Sequence, residues 1–120
     1  MLFSEFDLDS RLMKSFGHFG YEHATDIQER AIPEAMAGKD LLASSKTGSG
    51  KTLAYLLPAV HRLYTRKALA KRDPRVLILV PTRELAKQVY ATLRTLIAGT
   101  RFSSILVLGG ENFNDQHKNF

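Results

Sequence analysis

Apolar residues recur along this chain in two rhythms. Leu12, Met13, Phe16 and Phe19 fall at helical spacing behind Asp9, a good N-cap. They predict a helix over 10–19, ended by Gly20 as its C-terminal stop. Thr25-Asp26-Ile27-Gln28 reads as a capping box, the cap residue at Thr25 and its amide partner three positions on. A helical stretch follows, interrupted near Pro33 and closed by Gly38. Another helix is predicted from Thr52 toward Tyr64, with Pro58 inside it expected to kink it or remove a hydrogen bond. Leu85, Val89, Leu93 and Leu96 line one face of a helix over 83–96, with Gly99 ending it. The second rhythm is continuous rather than periodic. Residues 40–44, 76–80 and 104–108 are short aliphatic runs that read as strands buried on both faces. Pro81 stops the second, and Gly109-Gly110 closes the third. The polar tail 111–120 has room for the start of one more helix.

Strands alternating with helices define an α/β class: a parallel sheet with helices on both faces, joined by right-handed crossovers. A length of 120 residues allows one domain at most. That is short for a complete sheet of several βαβ units of roughly 30 residues each. Cysteine is absent, which excludes disulfides and thiolate metal sites. His18, His23, His61 and His117 show no ligand spacing and read as surface residues. No apolar run approaches a membrane span, and the N-terminus lacks a signal-peptide pattern. A soluble cytoplasmic protein is expected. The net charge of +5 favours polyanionic partners. The excess gathers in Arg62, Arg66, Lys67, Lys71, Arg72 and Arg75, opposed only by Asp73. Both a solvated basic loop and an RNA-steering patch fit that cluster.

Ser45-Lys46-Thr47-Gly48-Ser49-Gly50-Lys51-Thr52 carries the chemistry. Its end matches the G-K-[ST] close of a nucleotide-binding loop, with Ser45 where that pattern places its first glycine. An apolar run precedes it and a helical run follows. Backbone N–H groups of such a loop wrap a phosphate, and the new helix turns its positive dipole end toward the charge. Gly48 and Gly50 supply positive φ and close approach. Lys51 is placed to reach the β- and γ-phosphates, and the Thr52 hydroxyl to ligate Mg²⁺. By itself the loop indicates a nucleoside triphosphate and no particular reaction.

Two further motifs narrow the class. Gly20-Tyr21-Glu22-His23-Ala24-Thr25-Asp26-Ile27-Gln28, with Phe3 upstream, resembles the Q motif of DEAD-box RNA helicases, spanning 3–28. Pro81-Thr82-Arg83-Glu84-Leu85-Ala86 is similar to that family's motif Ia, and Gly109-Gly110 falls where the family has its GG motif. With the phosphate loop at 45–52, the four motifs stand in family order and cover essentially the whole chain. Ala24 departs from the family's usual proline, and Ser45 from its usual alanine.

The resemblance implies a RecA-like phosphate-loop NTPase fold, of which these 120 residues are the N-terminal portion of the first domain. The acidic Asp-Glu-Ala-Asp box and a second RecA-like domain do not occur in the sequence. It implies that Gln28 reads adenine through its amide, beside its capping role. Tyr21 stacks on the base and Phe3 supports the pocket; ordinary core packing is the local alternative for both, an equal one only for Phe3. Thr25 holds the Q motif against the phosphate loop. Thr82, Arg83, Gly109 and Gly110 are implied to contact the RNA backbone without reading base sequence. Local alternatives are a surface salt bridge for Arg83 and a plain turn for the glycines. The expected cofactors are ATP and Mg²⁺, the expected activity ATP-driven RNA unwinding. Lys51 and Thr52 are the only hydrolytic groups present, so no turnover is expected from this piece alone, and its exposed edges favour self-association. A short non-catalytic ATP- or RNA-binding regulator and part of a DNA helicase are the rival readings.

Overall fold

A computed structural model describes residues 1–43, 50–66, 75–98 and 100–108. The chain divides into two units, Met1–Val76 and Leu77–Phe120.

The first unit is built from three α-helices: α1 (Ser10–Phe16), α2 (Asp26–Met36) and α3 (Lys51–Thr65). Asp9 caps α1 as its sequence predicts, its carboxylate accepting the Arg11 N–H at 2.9 Å. A 3₁₀ turn, Gly17–Phe19, continues α1, and Gly20 terminates it at φ +71, a conformation that suits glycine. The capping box of α2 is formed, with Thr25 and Gln28 bonding reciprocally. Pro33 does not interrupt α2 and Pro58 does not break α3; both lie inside continuous helices. Pro33 lies in the last turn of α2, and Pro58 is buried in α3.

Helix α3 packs on both α1 and α2. Its buried side carries Leu53, Leu56, Leu57 and Val60, with Leu12 and Phe16 buried on α1 and Ile32 on α2. Burying each such side chain contributes roughly 1.5–3 kcal/mol. The N-terminal segment joins this core through backbone pairing. Leu2 bridges antiparallel to His23, the Phe3 N–H donates to the Glu22 carbonyl at 3.0 Å, and the Ala24 N–H donates to the Met1 carbonyl at 2.8 Å. Phe3 is thereby driven inside, 4.6 Å from the Phe16 ring.

The second unit centres on α4 (Arg83–Ile97), capped by Thr82, whose hydroxyl accepts the Leu85 N–H at 3.1 Å. Val89, Leu96 and Ile97 are its buried residues; of the predicted stripe, Leu85 and Leu93 are only half-buried. The expected stop at Gly99 lies outside the described residues, as does the tail 111–120.

The parallel sheet is not present among the described residues. The runs at 40–43, 76–80 and 104–108 form no strand, and Leu42, Leu77 and Leu79 are exposed. Helices close their hydrogen bonds locally, whereas a strand exists only by pairing with a neighbour. An aliphatic run can therefore declare β-propensity and still remain unpaired. No described helix is long and apolar enough to cross a membrane.

Candidate nucleotide site at the start of helix α3

Three described helices begin with different electrostatics. Helix α2 carries Asp26 and Glu29 in its first turn, and α4 carries Glu84. These carboxylates complement the positive end of the helix dipole. The first turn of α3 holds no acid; it opens Gly50-Lys51-Thr52. No carboxylate therefore complements the positive end of its dipole, which favours an anion, and Lys51 is exposed in that first turn.

Gly50 sits at φ +92 as the N-cap of α3. Its carbonyl accepts twice. The Ala54 N–H closes the first helical turn at 3.2 Å, and the Gln28 side-chain Nε2 donates to the same oxygen at 3.1 Å. The other end of the Gln28 amide, Oε1, accepts the Thr25 N–H at 2.8 Å. Gln28 is only 2% exposed. A Cβ placed on Gly50 would stand 2.5 Å from Gln28 Nε2 and 2.9 Å from Thr25 Oγ1. The start of α2 therefore rests directly against Gly50, the N-cap of α3, and only a residue without a side chain fits there.

This arrangement meets the requirements of a triphosphate cradle as far as it is described: an acid-free helix start, a glycine at positive φ, a lysine and a threonine in the first turn. Lys51 and Thr52 would hold the phosphates and a divalent ion. Ser45, Lys46, Thr47, Gly48 and Ser49 lie outside the described residues.

Tyr21 is 57% exposed, parallel to Phe19 within 6° at 6.1 Å and 6.3 Å from Phe16. Its exposed position is one from which a ring can stack on a base. Phe3 has a different place. It is 2% exposed, packed on Phe6 and Phe16, and reaches Tyr21 only through Phe16. The Gln28 amide is turned inward, with one lone pair and one hydrogen beyond the bonds just described. Thr82 and Arg83 are exposed at the N-terminus of α4, in the second unit. Gly109 and Gly110 lie outside the described residues.

Sequence reasoning missed the long-range partners of the Q-motif region. The Met1 amino group donates to Glu29 Oε1 at 2.6 Å, and this bond raises the amine's pKa. The backbone N–H of Asp9 donates to Nδ1 of His61 at 2.9 Å, so this histidine is a tertiary acceptor rather than a loose surface group. Arg11 pairs with Asp9, holding its carboxyl down at about 2, and lies 4.8 Å over the Tyr64 ring. The Asp9–Arg11 spacing was the only visible signal for any of these; partners 28 and 52 residues apart leave none.

Comparison with known proteins gives the class of the chain, that of the DEAD/DEAH box helicases. The profile of the DEAD/DEAH box helicase family matches residues 25–120. The chain belongs to that family. It is 40% identical over 110 residues to the ATP-dependent RNA helicase has1 of Schizosaccharomyces pombe, covering 92% of this chain and 19% of that one. HAS1 of Pyricularia oryzae is 43% identical over the same length, with 19% of it covered. The chain thus spans about a fifth of the length of these relatives. Among solved structures, the RNA helicase Prp28 from Chaetomium thermophilum bound to ADP superposes with a TM-score of 0.83 at 37% identity, over 97% of this chain and 28% of that one. A DEAD box protein from Methanococcus jannaschii gives a TM-score of 0.81 at 30% identity, over 98% and 31%.

Proposed function

We propose that this chain is the nucleotide-gripping portion of an ATP-dependent RNA helicase, the front part of a RecA-like domain whose sheet carries the phosphate loop. The single observation that supports this most is the seating of Thr25 and Gln28 against Gly50 at the acid-free start of α3. It joins a base-side element to a phosphate-side element, which a simple Gly-Ser turn has no reason to do. Family membership and the has1 relatives support the reading.

The residues divide by task. Lys51 neutralises phosphate charge, and Thr52 presents a hydroxyl to Mg²⁺. Gly50 keeps the turn tight, and Thr25 and Gln28 fix its carbonyl. Tyr21 offers a face to adenine, with the Gln28 amide beside the same helix start. Thr82 and Arg83 present an exposed, N–H-rich helix start to RNA phosphates, so binding is tolerant of sequence and weakens with salt. ATP supplies the free energy for strand separation when hydrolysed. The 120 residues contain no Asp-Glu-Ala-Asp stretch, so they bind without appreciable turnover, and activity requires a second RecA-like domain. The setting is cytoplasmic.

Titration of the purified chain with fluorescent adenine and guanine nucleotides tests this. Saturable, Mg²⁺-dependent binding that prefers adenine and is lost in Lys51→Ala is expected. Equal affinity for both bases, or binding indifferent to Lys51→Ala, overturns the assignment. RNA and DNA oligomers competing for a longer polypeptide containing this chain separate an RNA helicase from a DNA helicase.

A further inference from the structure

The helices on either side of Tyr21 satisfy the N–H of their cap residues in different ways. In α2 the residue three past the cap is Gln28, and its Oε1 accepts the Thr25 N–H at 2.8 Å. In α1 that place is held by Leu12, which is fully buried and has no acceptor to offer. The Asp9 N–H donates instead to Nδ1 of His61 at 2.9 Å, an acceptor on α3 and 52 residues away. The cap of α1 is thus completed by the helix that begins behind Gly50. Arg11 adds a second tie to the same end of α3. Its guanidinium donates to the Tyr64 carbonyl at 3.2 Å and lies over the Tyr64 ring at 4.8 Å.

Residues 9–28 are therefore fastened to α3 at two separate places. Gln28 holds Gly50 at the start of the helix, and Asp9 holds His61 roughly 16 Å further along its axis. Between the two fastenings lie Phe16, Phe19 and Tyr21, whose rings touch in series. Phe16 is buried, Phe19 half-buried and Tyr21 exposed. A segment held at one end pivots about it. Held at both ends, it keeps its exposed ring at a fixed place relative to Lys51 and Thr52, and orientation of this kind is what a binding site needs from its scaffold.

We propose that His61 is a positioning residue of the nucleotide site. By accepting the Asp9 N–H it fixes α1 against α3, and with α1 the face that Tyr21 presents. The inference rests on the reading of Tyr21 and Gln28 as the base side of an ATP site. His61 acts through Asp9 and not on the nucleotide. Its loss is therefore felt by the base and not by the phosphates, because Gly50, Lys51 and Thr52 stand at the other end of α3.

Substitutions at position 61 separate positioning from a merely structural bond. His61→Asn sets an oxygen where Nδ1 accepts, His61→Gln carries its oxygen one bond further out, and His61→Ala has no acceptor. Calorimetric titration of the purified 120-residue chain with ATP, GTP and inorganic tripolyphosphate, each with Mg²⁺, reads the effect. The parent chain is expected to prefer ATP over GTP. His61→Ala and His61→Gln are expected to lower that preference several-fold at unchanged tripolyphosphate affinity, and His61→Asn to keep it. Where His61→Ala does not fold, the contrast between His61→Asn and His61→Gln decides. An ATP preference that survives in His61→Gln overturns the proposal. So does a parallel loss of all three ligands, or a His61→Asn chain no better than His61→Gln. A parent chain indifferent to the base removes the underlying nucleotide reading and this inference with it, whereas the other adverse results remove the inference alone.

Discussion

Gln28 and Gly50 are joined by a hydrogen bond of 3.1 Å across 22 residues of sequence, from the side-chain Nε2 to the backbone carbonyl. The bond ties the cap of one helix to the cap of another. Gly50 has both a positive φ and no room for a Cβ. Gly50→Ala is therefore expected to destabilise the chain by about 1–3 kcal/mol through backbone strain alone. The collision with Gln28 Nε2 displaces the capping box as well. A lowered denaturation midpoint together with lost nucleotide binding is the expected outcome. An alanine variant of unchanged midpoint contradicts the geometry.

Gln28 serves two partners with two different atoms, so its substitutions separate. Gln28→Ala leaves the Thr25 N–H without its acceptor and removes one donor from the Gly50 carbonyl. The expected cost is on the order of 2–3 kcal/mol, read as a shift in urea midpoint at unchanged slope. Gln28→Glu keeps an oxygen for Thr25 but sets a carboxylate oxygen against the Gly50 carbonyl. Its destabilisation should shrink as the solution is acidified, because the protonated carboxyl can donate to that oxygen. Gln28→Ala should show no such recovery.

The Met1 amine, bonded to Glu29, has a folded pKa above its ordinary value of 8.0. A base stabilised in its protonated form contributes fully at pH below the unfolded value. The contribution is lost as pH rises through the folded one. Thermal unfolding of the chain should therefore fall more steeply above pH 8 than that of Glu29→Gln, measured pairwise because tyrosines and lysines titrate nearby. Parallel curves for the two proteins exclude the ion pair.

Asp9 lies at the acid limit. Its carboxyl is lowered from 3.8 to about 2, chiefly by the Arg11 guanidinium and further by the Arg11 backbone N–H. Stability from a depressed carboxyl is present above the unfolded pKa and disappears as pH falls through the folded value, here between about 4 and 2. Asp9→Asn should flatten that limb, and Asp9→Ala should cost about 1 kcal/mol at neutral pH through loss of the α1 cap. Unfolding curves from pH 2 to 7 check both.

Sequence pattern located the helices well, whereas the strands it predicts are not formed among the described residues. Asp9, Thr25 and Thr82 announce helix starts because a cap is a local device, satisfied within three residues. Leu85, Val89 and Leu96 announce a buried face because helical periodicity is written in spacing. Pro33 misled because a proline removes one helical hydrogen bond, a cost that the packing of the whole helix can outweigh. The runs at 40–44, 76–80 and 104–108 carry β-propensity, yet propensity names a preference for pairing and does not supply the partner. Phe3 was readable as a base-pocket residue or as core; the pairing of Met1–Phe3 with residues 22–24 settles its place inside.

By itself the sequence determined where the helices lie and the family. Each is encoded in neighbours along the chain or in a motif of fixed spacing. Only the tertiary structure decided that Gln28 turns inward to hold Gly50, that His61 accepts from Asp9, and that Glu29 receives the chain's own amino terminus. Those contacts join residues 22, 52 and 28 positions apart. A hydrogen bond between distant residues is fixed by how helices pack, and packing is a property of the assembled core rather than of any local stretch.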